Sequence, residues 1–467
     1  MNEQLLREIS TFCRETGLAE STFGRRAVND GKLAARLRNG GRITTETVDR
    51  IRAFIAQHGG SASAAESPGR MPYAPVSNRP AVTASAPSPA SDDPQRNFRF
   101  FDNRQKYLLF VNTCSEKWVV AQRVGLELAN IHPRPPALRA FDAGVGDGTV
   151  LARVLREMHD RFPHMPFYVV GKEISLEDIR LTLQKMADRF FEHPATVLVL
   201  TNLAYADAPW LAVKSVSAAA SLVWHEVALE GNSAHRFLDQ IGGLEPFLAE
   251  NWKAGVSPKS GNPVYERPVI LVLYRQDHRF LLDPIIPKPG GSTADYDLVI
   301  ASQPYRARAS VEFKAKRVIA PLARALGPGG RLIAIHSHGQ DPGMEIIDNV
   351  WPGDNPFASS DRHQILKAVK HELGTAGRDL NFNAYSDGRS IFRYDMHTLP
   401  SEISASIGTS TLLAAWNAAI YVAQVEDDRL ADVNSDRRYI EATREVLQKH
   451  GGLWFYDESF VISRRRE

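Results

Sequence analysis

The segment Asp142-Ala-Gly-Val-Gly-Asp-Gly148 sets three glycines, Gly144, Gly146 and Gly148, at alternate positions behind an acidic residue. Such a turn lets the backbone approach a ligand with no Cβ in the way. A helix opening behind it would offer free N–H groups to that ligand. This is cofactor chemistry, although a nicotinamide-binding turn or an ordinary loop uses similar glycines. Glu173 is a carboxylate able to accept from two hydroxyls at once, and Asn202 can accept through its amide carbonyl. In Ser302-Gln-Pro-Tyr305, the serine and a backbone carbonyl can accept from an amino group, and the tyrosine ring can stack on a flat substrate. Ser302 and Tyr305 are therefore catalytic candidates. His336 and His338 stand two apart, near Asp341 and Glu345. They suit a general-base set, His336 foremost, or metal ligands. Polar loop residues beside a pocket explain the pattern as well, and no metal is expected.

The elements that must position these residues follow in order. Leu138–Asp142 reads as a strand, and residues 149–162 as an amphipathic helix with Val150, Leu151, Val154, Leu155 and Met158 at helical spacing. Strands follow at residues 167–170 and 196–200, with a helix at 176–191 between them. A strand at 297–301 leads to a helix at 310–326. Gly327-Pro-Gly-Gly330 is then a tight turn before a strand at 331–335. Terminal strands are expected at 453–456 and 459–463, with a turn at Asp457-Glu458. Short apolar runs alternating with helical patterns predict an α/β domain with a mainly parallel sheet over residues 96–467. Residues 204–294 exceed what the alternation requires and are read as an inserted cap holding Trp224-His-Glu226, a helical stretch at 233–252 and a strand at 268–274. The segment Phe98–Tyr107 interleaves aromatic and basic residues and either closes over a ligand or packs as a plain helix.

Taken together, these residues resemble the class I S-adenosylmethionine (SAM)-dependent methyltransferases. Residues 142–148 look like that family's first motif, Glu173 falls where it places an acid on the ribose hydroxyls, and the Leu326–Leu332 turn also matches. Asn202 falls where the family usually has an Asp against the adenine amino group. The resemblance spans roughly residues 135–205 and 293–340. It implies a Rossmann-like fold, SAM as cofactor, and Asp142, Gly144, Gly146, Gly148, Glu173 and Asn202 as its binding residues. Ser302-Gln-Pro-Tyr305 is similar to the tetrapeptide of methyltransferases acting on planar amino nitrogens, with Gln303 in place of the first proline.

Residues 1–58 read as four short helices and resemble the repressor-like helix-turn-helix family, which implies DNA as partner. The third helix, at residues 30–38, would be the reader in the major groove. Arg25, Arg26, Lys32, Arg36 and Arg38 are the candidate DNA contacts, in a segment with ten Lys/Arg against seven Asp/Glu. A protein-binding adaptor is the alternative. Residues 59–95, rich in Ala, Ser, Pro and Gly, read as a flexible linker.

Bulk properties narrow the field further. A net charge of +2 gives no global drive toward nucleic acid or membrane. No apolar run reaches the roughly 18 residues of a spanning helix. Two cysteines, Cys13 and Cys114, give no disulfide framework, and with a charged amino terminus they fit a cytoplasmic protein. Three functions remain open on sequence: a methyltransferase with a DNA-docking domain, a SAM-sensing regulator with little turnover, and a small-molecule methyltransferase whose helical domain binds protein. A nicotinamide-dependent enzyme is a fourth, less favoured.

Overall fold

The computed structural model describes residues 2–16, 20–28, 30, 32–38, 43–58, 104–257, 263–290, 292–403, 406–434 and 437–466. The expected linker and residues 98–103 of the Phe98–Tyr107 segment lie outside these. The chain divides into two compact units, Met1–Ala90 and Ser91–Glu467.

In the first unit, helices span Asn2–Thr16, Glu20–Val28, Leu33–Arg38 and Thr45–His58. Leu5, Ile9 and Phe12 recur on one face of the first helix, and all three are buried. They meet Phe23, Leu33, Leu37, Val48 and Ile51 in one core. Phe12, Phe23 and Phe54 pack edge to face with centroids 5.4–6.0 Å apart. Gly24 permits the tight second connection, since a Cβ there would stand 2.2 Å from the Asp30 carbonyl oxygen. The third helix is shorter than expected, because residue 30 caps the turn instead: its side chain accepts from the Lys32 N–H at 2.9 Å.

The second unit holds twelve strands: β1 Leu138–Asp142, β2 Phe167–Lys172, β3 Thr196–Thr201, β4 Val223–Leu229, β5 Ala254–Val256, β6 Pro263–Tyr265, β7 Val269–Arg275, β8 Tyr296–Ser302, β9 Leu326–Ser337, β10 Leu380–Asn383, β11 Ile391–Asp395 and β12 Trp454–Arg464. Ten form one sheet in the order β10-β12-β9-β8-β1-β2-β3-β7-β4, with β11 also on β12. β9, β8, β1, β2 and β3 are mutually parallel. The central strands are apolar on both faces because both are covered. Phe141, Val170 and Val199 face one core cluster, while Ala140, Val169 and Leu198 face the other. The expected α/β class with a mainly parallel sheet is what the chain adopts. Among the described residues no helix is long and apolar enough to cross a membrane.

Four expectations need correction. Residues 204–294 are not a detached cap: β7 pairs antiparallel with β3, and β4 pairs parallel with β7, so the insertion widens the main sheet. All seven residues of β7 are buried, which a cap strand would not require. The helical stretch at 233–252 is two helices, Ala234–Gly242 and Glu245–Asn251. The two terminal strands are one, because Asp457 and Glu458 pair with Ser337 and His336 and continue β12. Gly327–Gly330 is a bulge inside β9: Tyr296 pairs with Leu326, yet Leu298 already pairs with Arg331.

Candidate functional site

The chain runs outward from β1 through β2 to β3, then returns to β8 beside β1 and runs the other way to β9. In open α/β sheets, the crevice at the carboxyl ends of such a reversal is where ligands bind. Asp142, Gly144 and Ser302 meet there. β12, the neighbour of β9 in the sheet, runs antiparallel to it.

Asp142 is buried, and its carboxylate accepts from the Gly144 N–H at 3.1 Å. Burial raises its pKa to about 7, only partly offset by that bond. Beyond Gly144 the crevice is open, since a Cβ there would meet nothing nearer than the Ser302 carbonyl oxygen at 3.9 Å. Gly146 and Gly148 have different duties. Both hold positive φ, 56° and 79°. A Cβ at Gly148 would press on the Thr182 Cα at 2.8 Å, so this glycine lets the helix Thr149–Arg161 pack against its neighbour Leu176–Glu192. Glu173 reaches across from the end of β2. Its Oε2 accepts from the Gly146 N–H at 2.8 Å, and Oε1 accepts from Ile174 and Ser175 at 2.8 and 2.9 Å. Three of about four acceptor positions are therefore filled, leaving one open.

Tyr107 lies over the glycine turn on the helix Arg104–Thr113. Its hydroxyl donates to Asp147 Oδ1 at 3.1 Å and accepts from the Asp147 N–H at 3.2 Å. Lys185 holds the same Asp147 from the other side, at 3.2 Å from Oδ2. Burial opposes the Asp147 charge, but Thr149, Lys117 and Lys185 keep its carboxyl below the usual range. The sequence left the Phe98–Tyr107 segment open between two roles; of it the structure describes Arg104–Tyr107, with the Tyr107 hydroxyl bonded to the glycine turn at Asp147.

Two further side chains in the crevice carried no sequence signal. Lys172, at the end of β2, has its ammonium 4.8 Å from the Tyr205 ring centroid. Burial lowers its pKa, with Glu173 opposing. The Tyr205 hydroxyl in turn donates to the Pro304 carbonyl at 2.9 Å, tying the loop after β3 to the loop after β8.

Several expected site residues take other roles. Asn202 is buried, donating to the Arg267 carbonyl and accepting from the Val269 N–H, both at 2.8 Å. It clamps the entry to β7 rather than facing a ligand. Ser302 does border the crevice, and its hydroxyl is buried without a hydrogen-bond partner. Tyr305 is buried in the core, with its hydroxyl 3.1 Å from His336 Nδ1. A ring so placed does not stack on a substrate. The other His336 nitrogen, Nε2, is 3.1 Å from Glu458, so both nitrogens are engaged and burial lowers its pKa. His336 is thus a positioning residue, not an open base. Glu458 also receives Arg362, whose guanidinium stands 2.5 Å from it. His338, Asp341 and Glu345 part company with His336 and line a cleft of about 610 Å³ beyond β9, together with Trp454 and Tyr456. Glu345 there pairs with Lys449 and His450 at 2.6 and 2.7 Å. Among the described residues no group of three or more His, Cys, Asp or Glu is placed to hold a metal ion.

In the first unit, Arg25 and Lys32 are exposed. Arg36 pairs with Asp30 at 2.9 Å and Arg38 with Glu20 at 2.6 Å, so two of the expected phosphate contacts already have partners. Of Arg26 only its place on the second helix is described.

No protein-family model matches the chain, and no curated protein does. Among solved structures, it is similar to geranyl diphosphate methyltransferase in complex with SAM, at 12% identity and a TM-score of 0.28, covering 78% of this chain and 92% of that one. The same enzyme with GPP and sinefungin gives 12% and 0.28, covering 74% and 77%. PKMT2 from Rickettsia typhi in complex with AdoHcy gives 10% and 0.25, covering 74% and 52%. Superposition this loose leaves the functional reading to the chain's own residues.

Proposed function

We propose that the second unit is a SAM-dependent methyltransferase whose donor lies in the crevice between β1 and β8. The observation that carries this reading is the open space at Gly144, bracketed by the free acceptor position of Glu173 and covered by Tyr107. SAM, when bound, supplies a methyl group already activated on a sulfonium. The protein's work is then placement and exclusion of water. Gly144 admits the donor, Glu173 accepts from one of its ribose hydroxyls through its remaining acceptor position, and Tyr107 shields it from solvent. Isothermal calorimetry tests this with S-adenosylhomocysteine and NADH. Micromolar binding of the first and none of the second is the expected result; the reverse would refute the reading.

The first unit is proposed to dock on DNA. Its exposed ion pairs contribute under about 1 kcal/mol each, so phosphates can displace Glu20 and Asp30 from Arg38 and Arg36. The full chain is expected to bind a mixed-sequence duplex in a salt-dependent way. Reversing charge at Arg25→Glu and Lys32→Glu together should weaken binding about tenfold or more, read by fluorescence anisotropy. Binding indifferent to both salt and these changes would favour a protein-binding role.

A further inference from the structure

A strand at the end of a sheet presents N–H and C=O groups that no ladder satisfies. β4 closes the sheet beside β7, and among the described residues no strand pairs with its other side. The Val223 N–H donates to the Pro268 carbonyl at 2.9 Å. Backbone groups alternate in direction along a strand, so Val223, His225, Val227 and Leu229 serve β7. Trp224, Glu226 and Ala228 turn theirs outward. The usual protections of an edge are missing. β4 has no proline, no lysine and no bulge, and all seven of its residues hold one unbroken register against β7.

Apolar surface lies at both ends of this edge. Just before β4, the short helix Val216–Ala220 buries none of its residues, and Val216 is 86% exposed. The other end is set by Leu229, which pairs with Arg275 at the close of β7. Beyond Arg275 the short helix Arg279–Leu282 exposes Phe280 at 98% and Leu281 at 54%. An antiparallel partner strand brings the start of one β4 beside the end of the other. A twofold axis therefore sets the Val216 helix of each copy against the Phe280 end of its mate.

The strand is also complementary to itself. About an axis at Glu226, Val223 faces Leu229, Trp224 faces Ala228 and His225 faces Val227, so no residue of β4 is left over and its largest side chain meets its smallest. Only Glu226 faces its own copy, and like charges directly opposed are destabilising. That repulsion is answered within each copy. The Tyr274 hydroxyl donates to Glu226 Oε1 at 2.5 Å, and the Arg279 guanidinium stands 3.9 Å from it. Two carboxylates thus meet two guanidiniums at the axis.

We infer that β4 is the contact of a homodimer, two copies joined antiparallel, edge to edge, about an axis at Glu226. The pairing closes at two, because each copy has then used its open edge. A seven-residue edge with two apolar flanks is at the small end of stable interfaces, so the dimer dissociates in the micromolar range.

Sedimentation equilibrium of the full chain, from about 1 to 100 μM, reads the result. A monomer–dimer equilibrium is expected. Phe280→Glu and Val216→Glu alter side chains that the fold leaves in solvent, and each should weaken dimerisation at least tenfold. Ala228→Pro removes an outward N–H and spares the residues that serve β7, and should leave a monomer. The two exposed-site variants keep the test intact if the proline variant fails to fold. Glu226→Cys should form an intermolecular disulfide on mild oxidation, since opposed Cα atoms in such a ladder stand about 5.5 Å apart, within disulfide reach. Glu230→Cys, off the axis, should not, and the native Cys13 and Cys114 are buried. A monomer throughout the range leaves the edge to a strand of another protein and overturns the inference. So does a dimer equally strong in Phe280→Glu and Val216→Glu, growth beyond two copies, or Glu230→Cys cross-linking as readily as Glu226→Cys.

Discussion

Gly144→Val is expected to lower affinity for S-adenosylhomocysteine about 100-fold or more, roughly 2.7 kcal/mol, with little change in Tm. The separation follows from what surrounds this glycine. A Cβ at Gly144 meets only the Ser302 carbonyl oxygen, at ordinary van der Waals distance, and the residue does not need positive φ. The protein therefore has room for the side chain, and a ligand lying against the turn does not. Gly148 is the control. With φ at 79° and the Thr182 backbone 2.8 Å from a modest Cβ, Gly148→Val should lower stability itself. Calorimetry and thermal melting on the two variants check the contrast. A Gly144→Val protein that binds S-adenosylhomocysteine like the wild type would remove the donor from this crevice.

Arg362→Ala is expected to destabilise the second unit by about 3–5 kcal/mol, the usual cost of stranding a buried charge. The Glu458 carboxylate it would strand is 1% exposed and also holds His336. The Arg362 guanidinium further bonds the Ala384 and Tyr385 carbonyls, so its loss also unpins the segment before β11. The pH dependence has a definite sign. Burial raises the Glu458 pKa, but His336 and Arg362 prevail and hold it at about 2, against an ordinary 4.5. A depressed carboxyl contributes stability above its unfolded pKa and loses it as pH falls. The gap between wild type and variant should therefore be full near pH 7 and shrink from about 4.5 toward 2. Urea unfolding at pH 7 and pH 3.5 measures it. A gap of equal size at both would mean that packing, not the ion pair, carries the effect.

Both predictions concern residues of different legibility. Gly144 was readable because a turn that must admit a ligand leaves a local mark: glycines at fixed spacing, a strand before and a helix after. Arg362 left none, since its meaning depends on Glu458, a residue distant in the chain and brought to it only where the helix Arg362–Leu373 meets β12. Asn202, Tyr305 and His336 show the same limit from the other side. Each sits just past or at the end of a central strand, where ligand-facing residues belong, and sequence position placed them there correctly. What position along the chain does not give is the direction of the side chain beyond the strand end. β7, contributed by the insertion, takes both ends of the Asn202 amide. β12 brings Glu458 to His336, and His336 then turns Tyr305 inward.

By itself, the sequence determined the alternating α/β order, the glycine turn between β1 and its helix, the acid after β2 and the four-helix character of the amino-terminal segment. These are local: each follows from periodicity and backbone freedom within a dozen or so residues. Only the tertiary structure decided that residues 204–294 widen the sheet, that β12 is a single antiparallel strand, and that the Gln303 amide meets the buried Asp457 carboxyl. Those outcomes depend on which distant strands pair and which polar groups are buried together. That is a balance of desolvation and partnership that no stretch of neighbouring residues records.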